Sequence, residues 1–296
     1  MFLTRLLSGI VLLIIITLMN IFGGAFMEFM LIFISVVGLR EFYLALGISS
    51  KDKKKNILEF TAMAGIVIYY WIAYVCYMKN MELAYMEKEL AGPMISMDAL
   101  VPVIIFVFLA MMAEYVFCFP QMEGKTVANA FFGFIYVPVM LSFIFLTRAM
   151  SHGQYLVWLI YIVSWVCDTS AYCVGMLIGK HRLAPVLSPK KSIEGAIGGV
   201  AGSVIVSCIF AEILVKKTLI PDDMVWLFVL IGALGSIVSQ IGDLAASAFK
   251  RNYEIKDYGN LIPGHGGILD RFDSVIFAAP MIYLLAQLLG RFLGRG

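Results

Sequence analysis

Residues 224–251 read MVWLFVLIGALGSIVSQIGDLAASAFKR. The first twelve positions carry no polar side chain. With the positions that follow, they are enough to cross ~30 Å of hydrocarbon as a helix. Ser236, Ser239, Gln240, Asp243, Ser247 and Lys250 then recur at spacings of three and four, so they share one helical face. A polar stripe on a membrane helix must face protein or water, not lipid. The segment therefore reads as a membrane span over about 224–246 with a functional face, and Asp243 lies near its inner end. The plainer reading of Asp243 is a structural carboxylate paired to a neighbouring helix.

The same apolar pattern recurs outward from this span. The chain has 296 residues, is 61% hydrophobic and 14% charged, and has a mean hydropathy of +0.93. A soluble domain is about half apolar and a quarter charged. The high hydrophobicity and low charge also exclude a disordered chain. The net charge of +2 gives no global argument for nucleic-acid binding. Apolar runs predict nine transmembrane helices near 5–20, 22–46, 57–78, 100–119, 127–147, 155–178, 196–215, 224–246 and 272–293. The fold class is thus an all-α polytopic integral membrane protein. Arg5 before an apolar run could open a signal peptide, but the next run follows at once, so an uncleaved span is expected. Lys79–Ala99 reads as the one sizeable outer connection, with the composition of an interfacial helix. Residues 1–150 hold spans one to five. Residues 151–296 hold spans six to nine, with cytoplasmic loops at 179–195 and 246–272. Cys76, Cys118, Cys167, Cys173 and Cys208 form no CxxC pair and read as small buried hydrophobes.

With the N-terminus inside, fifteen of the 22 Lys and Arg residues fall on one membrane face and seven on the other. This bias places the N-terminus in the cytoplasm and the C-terminus outside. The run Lys51-Asp52-Lys53-Lys54-Lys55 reads as a topological and headgroup anchor.

Chemistry concentrates between Asp243 and Asp273, where nine charged residues occupy 31 positions. Asp270 and Asp273, three apart at the start of the ninth span, point to one side of a helix. Carboxylates so close repel unless a cation lies between them or one takes a proton. Hard oxygen donors of this kind suit Mg²⁺, which prefers carboxylates, phosphate oxygens and water. Gly264-His265-Gly266-Gly267 is a glycine-rich turn whose backbone N–H groups can approach an anion. It lies between Lys250, Arg251 and Lys256 on one side and Asp270, Arg271 and Asp273 on the other, which makes it part of a phosphate and metal pocket. His265 could donate to phosphate or serve only the loop.

A second cluster is Ser188-Pro189-Lys190-Lys191-Ser192-Ile193-Glu194-Gly195, two lysines at a proline turn leading into a helix. It can bind polyphosphate or reflect the positive-inside bias alone. Asp168 lies within span six with Ser164, Tyr172 and Gly175 on its face, and an acid there is a functional candidate by default. The pairs Gly195/Gly199 and Gly198/Gly202 predict close helix packing. Glu28, Glu114 and Glu212 stand apart from any cluster, and packing, snorkelling or interhelical pairing accounts for them as well as function does.

At these residues the chain resembles the phosphatidate cytidylyltransferases (CDP-diacylglycerol synthases). Ser247-x-Phe249-Lys250-Arg251, Lys256-Asp257, Gly259, Pro263, His265-Gly266-Gly267, Asp270-Arg271 and Asp273 match that family's signature without departure. The Ser188–Gly195 loop resembles its second hallmark, with Ser192 where Thr is common. Asp168 with Ala171-Tyr172 fits its sixth-span pattern. The match covers residues 160–275, and the first half resembles the family only in being hydrophobic. The resemblance implies transfer of CMP from CTP to phosphatidate at a cytoplasmic-facing site of a multi-pass inner or plasma membrane protein, giving CDP-diacylglycerol and pyrophosphate for phospholipid synthesis. It implies Mg²⁺, expected as two ions, held by Asp243, Asp270 and Asp273 with Asp168, and a homodimer in the lipid bilayer. Asp243, Lys250, Asp270 and Asp273 are the expected catalytic residues. Ser188, Lys190, Lys191, Glu194, Ser247, Arg251, Lys256, Asp257, His265 and Arg271 are the expected substrate ligands. A CTP-dependent polyprenol or phytol kinase would use related chemistry but release CDP. A secondary transporter would place its polar residues near the midplane of corresponding halves, not on one face of one half.

Overall fold

The computed structural model describes residues 2–49, 55–87, 97–264 and 266–292. Lys51, Lys53 and Lys54 of the basic run, and His265, lie outside the described residues. The chain is an all-α polytopic membrane protein. Its helices are α1 (Phe2–Phe22), α2 (Gly24–Ala45), α3 (Lys55–Glu87), α4 (Val101–Phe117), α5 (Gly124–Phe134), α6 (Met140–Arg148), α7 (Gly153–Tyr161), α8 (Cys167–Ile178), α9 (Ile193–Lys216), α10 (Met224–Asn252) and α11 (Leu269–Phe292). Among the described residues six helical stretches are long and apolar enough to cross a membrane, and Leu7–Phe22 and Val101–Phe117 are shorter apolar helices.

Two long stretches are interrupted rather than broken. α5 and α6 join through a π-helical turn at Ile135–Val139, and α7 and α8 through another at Ile162–Val166. Pro138 sits in the first. It has no N–H to donate and its ring crowds the preceding turn, so the widened turn accommodates it. Of the expected outer connection Lys79–Ala99, Lys79–Glu87 continues α3, and 88–96 lie outside the described residues. Lys79–Glu87 contains no Gly or Pro and is rich in Met, Glu, Leu and Ala, which favour helix continuation.

The chain forms two compact units: Met1–Ala149 with Ile255–Arg271, and Met150–Glu254 with Phe272–Gly296. The signature loop therefore groups with the first half of the chain. In the first unit Phe42, Tyr43, Tyr69, Tyr70 and Phe134 are fully buried. The tyrosine hydroxyls are hydrogen-bonded, as buried hydroxyls require. Tyr43 donates to the Ala130 carbonyl at 2.6 Å, and Tyr70 donates to the Pro138 carbonyl at 3.0 Å. Glu114 on α4 accepts the Thr61 hydroxyl of α3, an interhelical pairing.

In the second unit α8 and α9 pack at close range, as the glycine spacings predict. A Cβ on Gly198 would lie 2.5 Å from Val174, and one on Gly199 would lie 2.9 Å from the Cys167 sulfur. Only glycine permits that approach. All five cysteines are free thiols.

Candidate functional site

The Ser188–Gly195 segment is not a plain loop. Arg182–Ala184 (β1) and Ser188–Ser192 (β2) form a two-stranded antiparallel hairpin that runs directly into α9. Ser192 closes the junction: its backbone is extended, and its hydroxyl accepts the Gly195 N–H at 3.1 Å, an N-cap. Glu194, in the first turn of α9, is used locally. Its carboxylate accepts the Lys180 N–H at 3.1 Å and the His181 N–H at 3.2 Å, and lies 2.6 Å from His181 Nδ1. The hairpin base is thereby fixed. Ser188 is half-buried and Lys190 exposed.

From this hairpin Lys191 reaches α10, where its ammonium pairs with the Asp243 carboxylate. Burial pushes the Lys191 ammonium below its ordinary range, and the charges of Asp168 and Asp273 pull it back up. Asp168 itself is exposed in the first turn of α8. One face of α10 carries the rest of the stripe. Ser236 and Ser239 are buried, and Gln240 donates to the Ala196 carbonyl at 3.1 Å and approaches the Cys167 sulfur at 3.4 Å. The stripe thus faces protein. Two turns beyond Asp243, the largely buried Lys250 lies 3.9 Å from Asp273, which also accepts the Ser274 N–H at 2.8 Å. Gly242 lets Phe277 approach, since a Cβ there would be 2.7 Å from that side chain. The second unit therefore pairs two lysines with two aspartates. Ser247 is half-buried, and Arg251 is exposed.

The remaining expected residues lie in the first unit. Asp270 is buried, and its Oδ2 accepts the Tyr258 N–H at 2.8 Å and the Gly267 N–H at 3.0 Å. It ties the two ends of the signature loop together. Ile262 donates to the Gly266 carbonyl at 2.9 Å, and Gly264 and Gly266 take φ of 78° and 84°. Those values favour glycine, so the glycines make the turn possible. Lys256 and Asp257 are exposed, while Arg271 is half-buried. The Arg271 Nε is buried without a hydrogen-bond partner among the described residues. A buried donor left unpaired is costly, and an anion would satisfy it.

Sequence reasoning missed Glu41. It is a buried acid on α2 whose two oxygens accept the Ile268 N–H at 3.1 Å and the Leu269 N–H at 2.9 Å. The rule that flags any ionisable residue in a membrane span would have found it. His181 was also overlooked, and its signal was only its place beside the hairpin.

Among the described residues no three of His, Cys, Asp and Glu gather as a metal cage. Mg²⁺ rarely uses one: it binds through one or two carboxylates, with water and substrate phosphates completing its shell. Asp243 and Asp273 are hard-oxygen donors whose present counter-charges are lysine ammonium groups. Those donors fit an ion that arrives with a polyphosphate.

Three relatives, each named phosphatidate cytidylyltransferase, are similar to this chain. The Staphylococcus saprophyticus protein is 41% identical over 148 residues, 50% of this chain and 55% of the relative. The Staphylococcus haemolyticus protein is 42% identical over 151 residues, 51% and 55% respectively. The Staphylococcus aureus protein is 40% identical over 148 residues, 50% and 55%. The chain spans about half the length of the curated relatives it matches. The model of the Cytidylyltransferase family matches residues 3–289, nearly end to end. On that match the chain belongs to the cytidylyltransferase family.

Proposed function

We propose that the protein is a phosphatidate cytidylyltransferase, transferring CMP from CTP to phosphatidate and releasing pyrophosphate. The observation that carries this reading is the pair of lysine–aspartate contacts, Lys191 with Asp243 and Lys250 with Asp273. They gather cations that can meet phosphates and carboxylates that can meet Mg²⁺ within one helical unit. The names of the relatives supply the substrate class.

A phosphate oxygen of phosphatidate attacks the α-phosphorus of CTP, a P–O bond forms there, the bond to the β-phosphate breaks, and pyrophosphate leaves. Reactions of this kind need positioning and charge neutralisation more than covalent help. Lys190, Lys191, Lys250 and Arg251 offset phosphate charge, and Arg271 offers its unpartnered Nε to an anion. Mg²⁺, expected as two ions, would neutralise phosphate oxygens and polarise the reacting phosphorus. Asp243 and Asp273, with Asp168 nearby in charge, are its proposed ligands, and Asp270 is proposed to contribute from the signature loop. In this reading the protein is a homodimer with its N-terminus in the cytoplasm, where CTP is. Residues 183–193 and 252–268 then face the cytoplasm and the C-terminus faces outside, as the Lys and Arg bias predicts.

The test is product analysis with purified protein, CTP, phosphatidate and Mg²⁺. Pyrophosphate release that depends on phosphatidate, with CDP-diacylglycerol formed in equal amount, is expected. CDP release with a polyprenol acceptor would instead establish a lipid kinase. Labelling of the 252–268 loop from outside intact cells would contradict a CTP-using site there.

A further inference from the structure

We infer that Glu41 is a positioning residue: it fixes how the signature loop hands the chain over to α11, and so where Asp270 is presented. This rests on the cytidylyl-transfer reading above, and all its contacts lie within the first unit. α11 begins at Leu269, so the N–H groups of Ile268 and Leu269 are among those a helix start leaves without partners. A cap from the same stretch of chain normally satisfies one of them. Here a single carboxylate, 227 and 228 residues away in sequence, takes both. Negative charge is favoured at that end of a helix, and hydrogen bonds to an ionised acceptor are strong.

The neighbouring residue grips the other end of the loop. Phe42 packs against Tyr258, with ring centroids 6.0 Å apart. Tyr258 is the residue whose N–H bonds Asp270, and Gly267, just before the Glu41 contacts, donates the other bond to that carboxylate. Glu41 and Phe42 therefore hold the two strands of the loop that Asp270 joins. The loop is shaped around the acid: a Cβ on Gly259 would lie 2.6 Å from the Glu41 carboxyl carbon, and one on Gly267 would lie 2.7 Å from it. A buried carboxylate is costly unless it is fully bonded, and a merely structural helix start would be served by a local serine or aspartate. The acid on α2 instead couples the first half of the chain to the residue expected to act.

The test uses the full chain in phosphatidylglycerol-containing nanodiscs, as wild type, Glu41→Gln and Glu41→Ala. The first readout is amide exchange and does not depend on activity. Exchange at Ile268 and Leu269 should rise about 10-fold in Glu41→Ala, and chiefly at one of the two in Glu41→Gln, which keeps one acceptor oxygen. Segments in α9 and α10 should be unchanged. The second readout is steady-state pyrophosphate release. A misplacement of about 1 Å costs about 100-fold, so kcat should fall by that much in Glu41→Ala while KM for CTP moves less than about 3-fold, with Glu41→Gln in between. Unchanged exchange at Ile268 and Leu269, or wild-type kcat in Glu41→Ala, overturns the assignment. If Glu41→Ala does not fold, Glu41→Gln decides it by the same two measurements. Wild-type protein that releases no pyrophosphate overturns the cytidylyl-transfer reading, and the catalytic consequence with it, whatever the exchange shows.

Discussion

Two acids in each unit are held in different ways. In the second unit Asp243 and Asp273 face the ammonium groups of Lys191 and Lys250. In the first unit Asp270 and Glu41 face backbone N–H groups at 2.8–3.1 Å. A lysine is a point charge on a flexible four-carbon stem and can turn to a new partner. A backbone N–H belongs to the loop itself and cannot leave. Acids of the first kind therefore have partners that can move. Acids of the second kind build the loop. One set is therefore held by partners that can turn away and the other by the loop it shapes, although all four are carboxylates.

The sharpest way to break this comparison is to neutralise one acid of each kind. Asp243→Asn and Asp270→Asn should each reduce pyrophosphate release by about 1,000-fold, or ~4 kcal/mol in the barrier. The routes should differ. Asp243→Asn should leave amide exchange in the signature loop unchanged, whereas Asp270→Asn should speed it at Tyr258 and Gly267. Normal turnover at saturating Mg²⁺ in either variant would remove that residue from the reacting set. Equal exchange in both would erase the distinction between lysine-paired and loop-building acids.

Much of the second unit could be read from local sequence. The spacing of Ser236, Gln240, Asp243 and Lys250 put them on one face of α10, and that face does meet protein partners. The glycine spacings of α9 predicted its close approach to α8. Periodicity works there because each signal sits within one helix. The hairpin at Arg182–Ser192 was invisible because its strands are short, three and five residues, and the proline and lysines of the second read as loop. The partner of Lys191 lies 52 residues away, and that of Glu41 more than 200. Such pairings are set by tertiary packing, so no window of sequence displays them. The π turns escaped for a related reason: Pro138 signals a disturbed helix but not whether it kinks or widens.

A smaller effect separates the two hairpin lysines. Lys191 is half-buried against Asp243, while Lys190 is exposed. Lys191→Gln removes a positioned cation and leaves Asp243 without its pair, so kcat/KM for CTP should fall about 100-fold with little dependence on salt. Lys190→Gln removes a screened charge, so its effect should be about 10-fold at low salt and fade as ionic strength rises. Steady-state kinetics at two salt concentrations check both. If both variants keep wild-type CTP kinetics and lose only topological fidelity, the hairpin is an anchor and not part of the pocket.

The smallest expected effect tests the scaffold beneath those lysines. Ser192 carries no charge and is not assigned to substrate, yet it sets the angle between β2 and α9 through its bond to the Gly195 N–H. It is buried, and a Cβ on Gly175 or Gly179 would lie 2.9 or 2.6 Å from its hydroxyl oxygen, so the hydroxyl also fills the space those two glycines leave. Ser192→Ala should cost about 1 kcal/mol of stability, the usual value of an N-cap, and lower the thermal midpoint by about 2 °C. Ser192→Thr keeps the capping oxygen and should stay within about 0.5 kcal/mol of wild type. The two variants separate capping from packing. Loss of the oxygen alone should matter if the cap sets the hairpin, whereas added bulk should matter more if space does. A Thr variant less stable than the Ala variant would mean that room beside Gly175 and Gly179, not the hydrogen bond, holds the hairpin on α9.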